Sequence, residues 1–167
     1  MTEIAPEVFY KNGLHFGCER CSFCCGHSPG FVYLSLHDLT ALCSHKKMSI
    51  SRFISEYCRW ADYYEGKQVL ALLEKTNYDC ILWENGCSCY EARPIQCSTY
   101  PFWSWMIKDE TTWRECAEDC PGMRNDKGRL WTFEEIEASK KAYDSNKPIT
   151  REEAERLMGR SGERDKP

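Results

Sequence analysis

Apolar positions recur at helical spacing in separate stretches of this chain. In "LSLHDLTALCSHKK", Leu36, Leu39, Leu42 and Cys43 return at helical spacing. Ser35 is placed as N-cap with Asp38 at N3, and Leu34 and Leu39 form a hydrophobic staple across the helix start. A second short helix follows from Ser51, with Phe53, Ile54, Tyr57 and Cys58 on one face. Near the end, "WTFEEIEASKKAYD" opens on a Thr132–Glu135 capping box with Trp131 and Ile136 as staple. "TREEAERLMG" repeats the device with Thr150 and Glu153, and Gly159 is expected as its C-cap. These segments predict C-terminal helices within 132–159, followed by a frayed "SGERDKP" tail.

Between these helical stretches the period is lost. Val69 to Leu73 is a continuous apolar run compatible with strand or helix. "CILWENGCSCY" reads as a hairpin turning at Asn85-Gly86. "EARPIQC" reads as a turn leading into a helical turn that "YPFW" stops, and Pro94 and Pro101 exclude a long regular element there. Residues 1–17 look like an irregular lead-in, and "GHSPGF" is a Gly/Pro turn cluster. No repeat or linker stands out. The expectation is one α+β domain over 1–167, with short helices, a hairpin and long loops organised around a cysteine-ligated metal centre.

Composition narrows the function classes. With 42% hydrophobic and 29% charged residues, the chain reads as globular. A net charge of −4 gives no electrostatic footprint for nucleic acid. No stretch approaches the roughly 20 apolar residues of a membrane helix, and the N-terminus lacks a signal-peptide core. A cytoplasmic protein without membrane or nucleic-acid partners is expected. There the 12 cysteines need an explanation other than disulfides. The adjacent pair Cys24-Cys25 also argues against bridging, since a ring between neighbours is strained.

The thiols fall into groups. "CERCSFCCG" carries Cys18, Cys21, Cys24 and Cys25; Cys80, Cys87, Cys89 and Cys97 follow, then Cys116 and Cys120. Cys43 and Cys58 lie on predicted apolar faces and read as packing thiols. Two-residue spacing lets successive thiolates converge from a tight turn, as in the Cys-x2-Cys-x2-Cys run of [4Fe–4S] ferredoxins. Cys120-Pro121 matches the Cys-Pro that ends such runs. Zinc competes through the same knuckle, although the later spacings make no second one. His15, His27, His37 and His45 are possible nitrogen ligands; for His27, nearest the run, a surface role is the simpler reading.

Taken together, "CERCSFCC" and "CILWENGCSCYEARPIQCSTYPFW" resemble the CxxCxxCC family of zinc- or iron-chelating domains, the YkgJ-type cysteine-cluster proteins. The resemblance rests on Phe16, Cys18, Cys21, Cys24 and Cys25; on Cys80, Gly86, Cys87, Tyr90, Arg93, Pro94, Cys97, Tyr100, Pro101 and Phe102; and on Cys120, Pro121 and Gly122. It spans residues 16–122. Cys89 departs from the family's aliphatic residue, and Cys116 lacks a counterpart, so both are set aside. The resemblance implies metal ligation by Cys18, Cys21, Cys24, Cys25, Cys80, Cys87, Cys97 and Cys120, expected to gather in one metal-rich centre with the doublet as its seam.

Around that centre Pro94 is expected to fix the turn that aims Cys97. Arg93 and Tyr100 are expected beside the cofactor: Arg93 offsetting thiolate charge, or pairing with Glu84 or Glu91, and Tyr100 walling the site with Phe102, Trp103 and Trp105. Acidic residues on the C-terminal helices read as solvated faces. No nucleophile–base pattern or phosphate loop occurs. The expectation is an iron–sulfur (4Fe-4S) protein with a redox or electron-transfer role and a redox or protein partner. The alternatives are a zinc-stabilised interaction module, or the metal domain of a protein-modifying enzyme, since flagellin lysine N-methylase carries the same block.

Overall fold

A computed structural model describes residues 7–27 and 29–164, with the backbone alone for 160–164. In chain order the elements are β1 (Leu14–Phe16), α1 (Leu36–Lys46), α2 (Ile50–Tyr57), β2 (Cys58–Asp62) and β3 (Gln68–Leu72). Then come α3 (Ile95–Ser98), α4 (Glu110–Asp119), β4 (Arg129–Trp131), α5 (Phe133–Ser145) and α6 (Arg151–Arg164). The class is α+β, with two antiparallel two-stranded sheets, β1–β4 and β2–β3. No helix among the described residues is long and apolar enough to cross a membrane.

The elements form two compact units, each assembled from separated stretches of chain. The first comprises residues 1–24 and 99–145. Leu14 pairs with Trp131 and Phe16 with Arg129, so part of the expected lead-in is a strand. Three-residue strands carry too few side chains to display a period, which is why the sequence hides them. The core is aromatic: Tyr10, Phe16, Phe102, Trp113 and Met106 are buried around Ile136. Phe102 and Trp113 stack at 6.0 Å, and Phe16 meets Phe102 edge-on at 5.9 Å. Asp109 caps α4 by accepting from the Thr112 N–H at 2.7 Å. The capping box of α5 forms as expected, with Thr132 N–H to Glu135 at 2.9 Å and Glu135 N–H to Thr132 Oγ1 at 3.3 Å.

The second unit comprises residues 25–98 and 146–167. Its core is aliphatic, with Leu34, Leu39, Leu42, Phe53, Leu70, Leu72 and Leu82 buried. The Ser35–Asp38 capping box forms, and Leu34 and Leu39 are both buried as the staple requires. Leu36, expected on the apolar face, is instead half exposed. The second helix starts earlier than expected, because Ser49 rather than Ser51 caps it. The 69–73 run resolves to strand β3, held from its far side by Leu34 and Ile149 backbone bonds to Leu70.

The expected hairpin after Cys80 shrinks to one antiparallel bridge, Trp83 to Cys87, around left-handed Asn85. Gly159 does not end α6, which runs on to Arg164. A helical Gly costs only about 1 kcal/mol, and the strong cap at Thr150 carries the helix through it. The expected frayed tail is therefore helical as far as Arg164, and its last three residues lie outside the described residues, as does Ser28 of the turn cluster.

Candidate metal-binding cysteine sets

The division into units sorts the thiols. Cys18, Cys21, Cys24 and Cys120 lie in the first unit, and Cys25, Cys80, Cys87 and Cys97 in the second. The boundary falls inside the doublet, within one 3-10 turn spanning Phe23–Cys25.

In the first unit the run is shaped by two left-handed residues, Arg20 at φ 53° and Ser22 at φ 68°. Non-glycine residues enter that region only at a cost of order 1–3 kcal/mol. They sit in the two spacers, one between Cys18 and Cys21 and one between Cys21 and Cys24. Cys18, Cys21 and Cys24 are exposed, whereas Cys120 is buried. A distant stretch is tied to the run by backbone: the Gly17 N–H donates to the Gly122 carbonyl at 3.3 Å. A Cβ on Gly122 would lie 2.3 Å from the Gly17 carbonyl oxygen, so this approach requires glycine.

Burial pushes the Cys120 thiol up, while a hydrogen bond from the Tyr100 hydroxyl and the Met123 and Gly122 amides favour its thiolate. Charge on Cys21 opposes that ionisation. Burial, then Cys120, Cys24 and Cys116, hold the Tyr100 hydroxyl protonated well above its ordinary range. Tyr100 is thus a donor amid thiols and packs edge-on against Trp103 at 5.3 Å. Phe102 is fully buried, whereas Trp105 is half exposed and lies tilted against Trp103 at 6.1 Å. Cys116, which sequence reasoning set aside, belongs to this surrounding; its spacing of four from Cys120 at the end of α4 was the available signal.

In the second unit the four candidate thiols are half-buried. The Cys80 N–H donates to the Cys25 carbonyl at 2.7 Å, joining two expected ligands across 55 positions. Beside that contact a Cβ on Gly26 would fall 2.4 Å from an Asp79 carboxylate oxygen, which would have to swing aside. Burial raises the Cys80 thiol to about 11; Cys87 and Cys89 add to the rise, and the Leu82 amide and Lys75 oppose it. Lys75 also donates to the Trp83 carbonyl. Cys97 sits in the four-residue helix α3.

Arg93 stacks over the Tyr90 ring at 3.7 Å. Its pairing with Glu84 or Glu91 is not made, and its Nε is buried without an acceptor among the described residues. The thiols expected to pack do so: Cys89 is fully buried, and Cys43 and Cys58 belong to the aliphatic cluster. Burial raises Cys43 to about 11 and Cys58 to about 12.

Among the described residues, no three His, Cys, Asp or Glu side chains are already arranged to hold a metal. The fit to a metal is therefore one of donor chemistry and backbone proximity: four of the candidate thiols in each unit and, in the second, an Arg93 N–H without an acceptor among the described residues.

No family model matches the chain, and no solved structure matches it. The chain is similar to an uncharacterized protein of Methanocaldococcus jannaschii, 25% identical over 96 residues, which is 56% of this chain and 48% of that protein. It thus spans about half the length of that protein.

Proposed function

We propose that this is a cysteine-cluster metal protein of the CxxCxxCC type in which each unit supplies one four-thiol set, an iron–sulfur cluster being the favoured occupant. The observation that carries the reading is the pair of backbone ties: Gly17 to Gly122 in the first unit and Cys25 to Cys80 in the second bring distant cysteine runs together. Cys18, Cys21, Cys24 and Cys120 would hold one group, and Cys25, Cys80, Cys87 and Cys97 the other. A bound iron–sulfur cluster supplies one-electron redox chemistry. The residues contribute the rest. The Tyr100 hydroxyl, which donates to Met123 Sδ at 3.9 Å, favours the Cys120 thiolate, the Arg93 Nε offers an unmatched positive N–H, and Cys120 is buried in one cluster with Phe16 and Phe102. Hydrogen bonds to sulfur and exclusion of solvent are the levers that set such a potential.

Thiols held protonated, as Cys80 is, must release protons on ligation, so metal uptake strengthens as pH rises. A reducing compartment such as the cytoplasm suits a set of open thiols. Zinc is the second reading, because four thiolates close a tetrahedron without an open position, the mark of a structural site. Anaerobic purification decides between them. A brown protein absorbing at about 400 nm, with iron and acid-labile sulfide, is expected. Colourless protein with stoichiometric zinc replaces the first reading with the second, and protein that takes up neither metal overturns both.

A further inference from the structure

The buried carboxylate of Asp38 does more than cap α1. Asp38 is 1% exposed and its two oxygens serve different partners. Oδ2 accepts from the Ser35 N–H at 3.0 Å, the Ser35 hydroxyl at 2.9 Å and the Asn146 amide at 3.2 Å. Oδ1 accepts from the Ile95 N–H at 2.8 Å. Ile95 is the first residue of α3, whose starting N–H groups have no partner within the helix. The next residue is held as firmly. Gln96 donates to the Phe31 carbonyl at 2.8 Å and accepts from the Tyr33 N–H at 3.1 Å. Cys97 follows directly. Four residues are far too few for a helix to support itself, so the position of Cys97 is borrowed from these two clasps.

We infer that Asp38 is a positioning residue for Cys97, setting the metal affinity of the second unit's thiol set without touching it. This rests on the reading that this set binds metal. A capping role alone needs only Oδ2; the bond from Ile95 to Oδ1 is what a cap does not explain. Asparagine cannot replace the carboxylate, because either amide orientation turns an N–H₂ toward a donor, Ile95 N–H on one side or Ser35 N–H on the other. Ser35→Ala, by contrast, weakens the cap and leaves the Asp38–Ile95 bond in place.

The test titrates Co²⁺ into the reduced full chain carrying Cys18→Ser and Cys21→Ser, reading the thiolate-to-cobalt absorption, with thermal melting alongside. In this background Cys97→Ser is expected to weaken Co²⁺ strongly. Asp38→Asn is expected to weaken it about 10-fold or more, the range seen when groups supporting metal ligands are changed. Ser35→Ala is expected to lower the melting temperature with affinity within about threefold of the background. If Asp38→Asn fails to fold, Gln96→Ala carries the test, with several-fold weakening expected. Affinity that follows melting temperature alike in Asp38→Asn and Ser35→Ala, or that Asp38→Asn leaves unchanged, overturns the inference while the metal reading stands. An absence of thiolate absorption in both the background and the unmutated chain overturns the metal reading, and the inference with it.

Discussion

The two units solve the same problem with opposite materials. The first surrounds its single buried thiol, Cys120, with aromatic rings and leaves Cys18, Cys21 and Cys24 exposed on a left-handed turn. The second keeps its four candidate thiols, Cys25, Cys80, Cys87 and Cys97, half-buried beside an aliphatic core of leucines. An exposed run meets metal or oxidant readily but lacks walls of its own, whereas a half-buried set is shielded but must lose protons to become ligands. The contrast teaches that thiol count says little about thiol chemistry; the local core decides it.

Truncating each core should separate the units most forcefully. Phe53→Ala in the second and Phe102→Ala in the first, both fully buried, are each expected to cost about 3–5 kcal/mol. Denaturant unfolding followed by thiol labelling locates the damage. Phe53→Ala should open Cys43 and Cys89, and Phe102→Ala should open Cys120. Equal exposure of all three in both variants would dissolve the contrast.

Reactivity comes next in size. At neutral pH a thiol held at about 11, as Cys43 is, carries about a hundredfold less thiolate than one at its ordinary 9.0. In metal-free protein, mass-spectrometric alkylation should therefore label Cys18, Cys21 and Cys24 long before Cys43 or Cys58. The same shifts carry a sign for stability. Folding raises these two thiols, so their contribution is fully present below the unfolded value near 9.0. It is lost as pH climbs through about 11 and then about 12. Melting temperature measured against pH should fall across that window, and a flat profile would contradict the burial argument.

Helix caps give the smallest effect. Asp109→Ala in the first unit and Thr150→Ala in the second should each cost about 1 kcal/mol by chemical denaturation. A much larger loss for Asp109→Ala would mean that α4 also aims Cys120, which stands at its C-terminal end.

Three of the helices could be read from the sequence because their starts are chemical signatures: Ser35–Asp38, Thr132–Glu135 and Thr150–Glu153 all form reciprocal bonds. Helix α4 could not, since "ETTWRECAED" buries only Trp113 and Ala117 and its Asp109 cap has no reciprocal Glu or Gln three residues on. Strands β1 and β4 pair across more than a hundred residues with three residues each, and local pattern carries no trace of such a pairing. The candidate site divides the same way. The candidate cysteines stand out by their spacing alone. Asp38 could be read only as a cap, because the bond from Ile95 to its other oxygen spans 57 positions. Nor does spacing announce that Cys24 and Cys25 fall in different units.

The interleaving of the two units sets an order of events during synthesis. Cys18, Cys21 and Cys24 emerge from the ribosome about 95 residues ahead of Cys120, roughly 5–20 s at ordinary elongation rates. The second unit cannot close before Ile149 arrives to bond Leu34 and Leu70. For that interval the nascent chain presents Cys18, Cys21 and Cys24, joined by each later thiol as it emerges, and no completed core, so thiol-reducing capacity bears on yield before any folded protein exists.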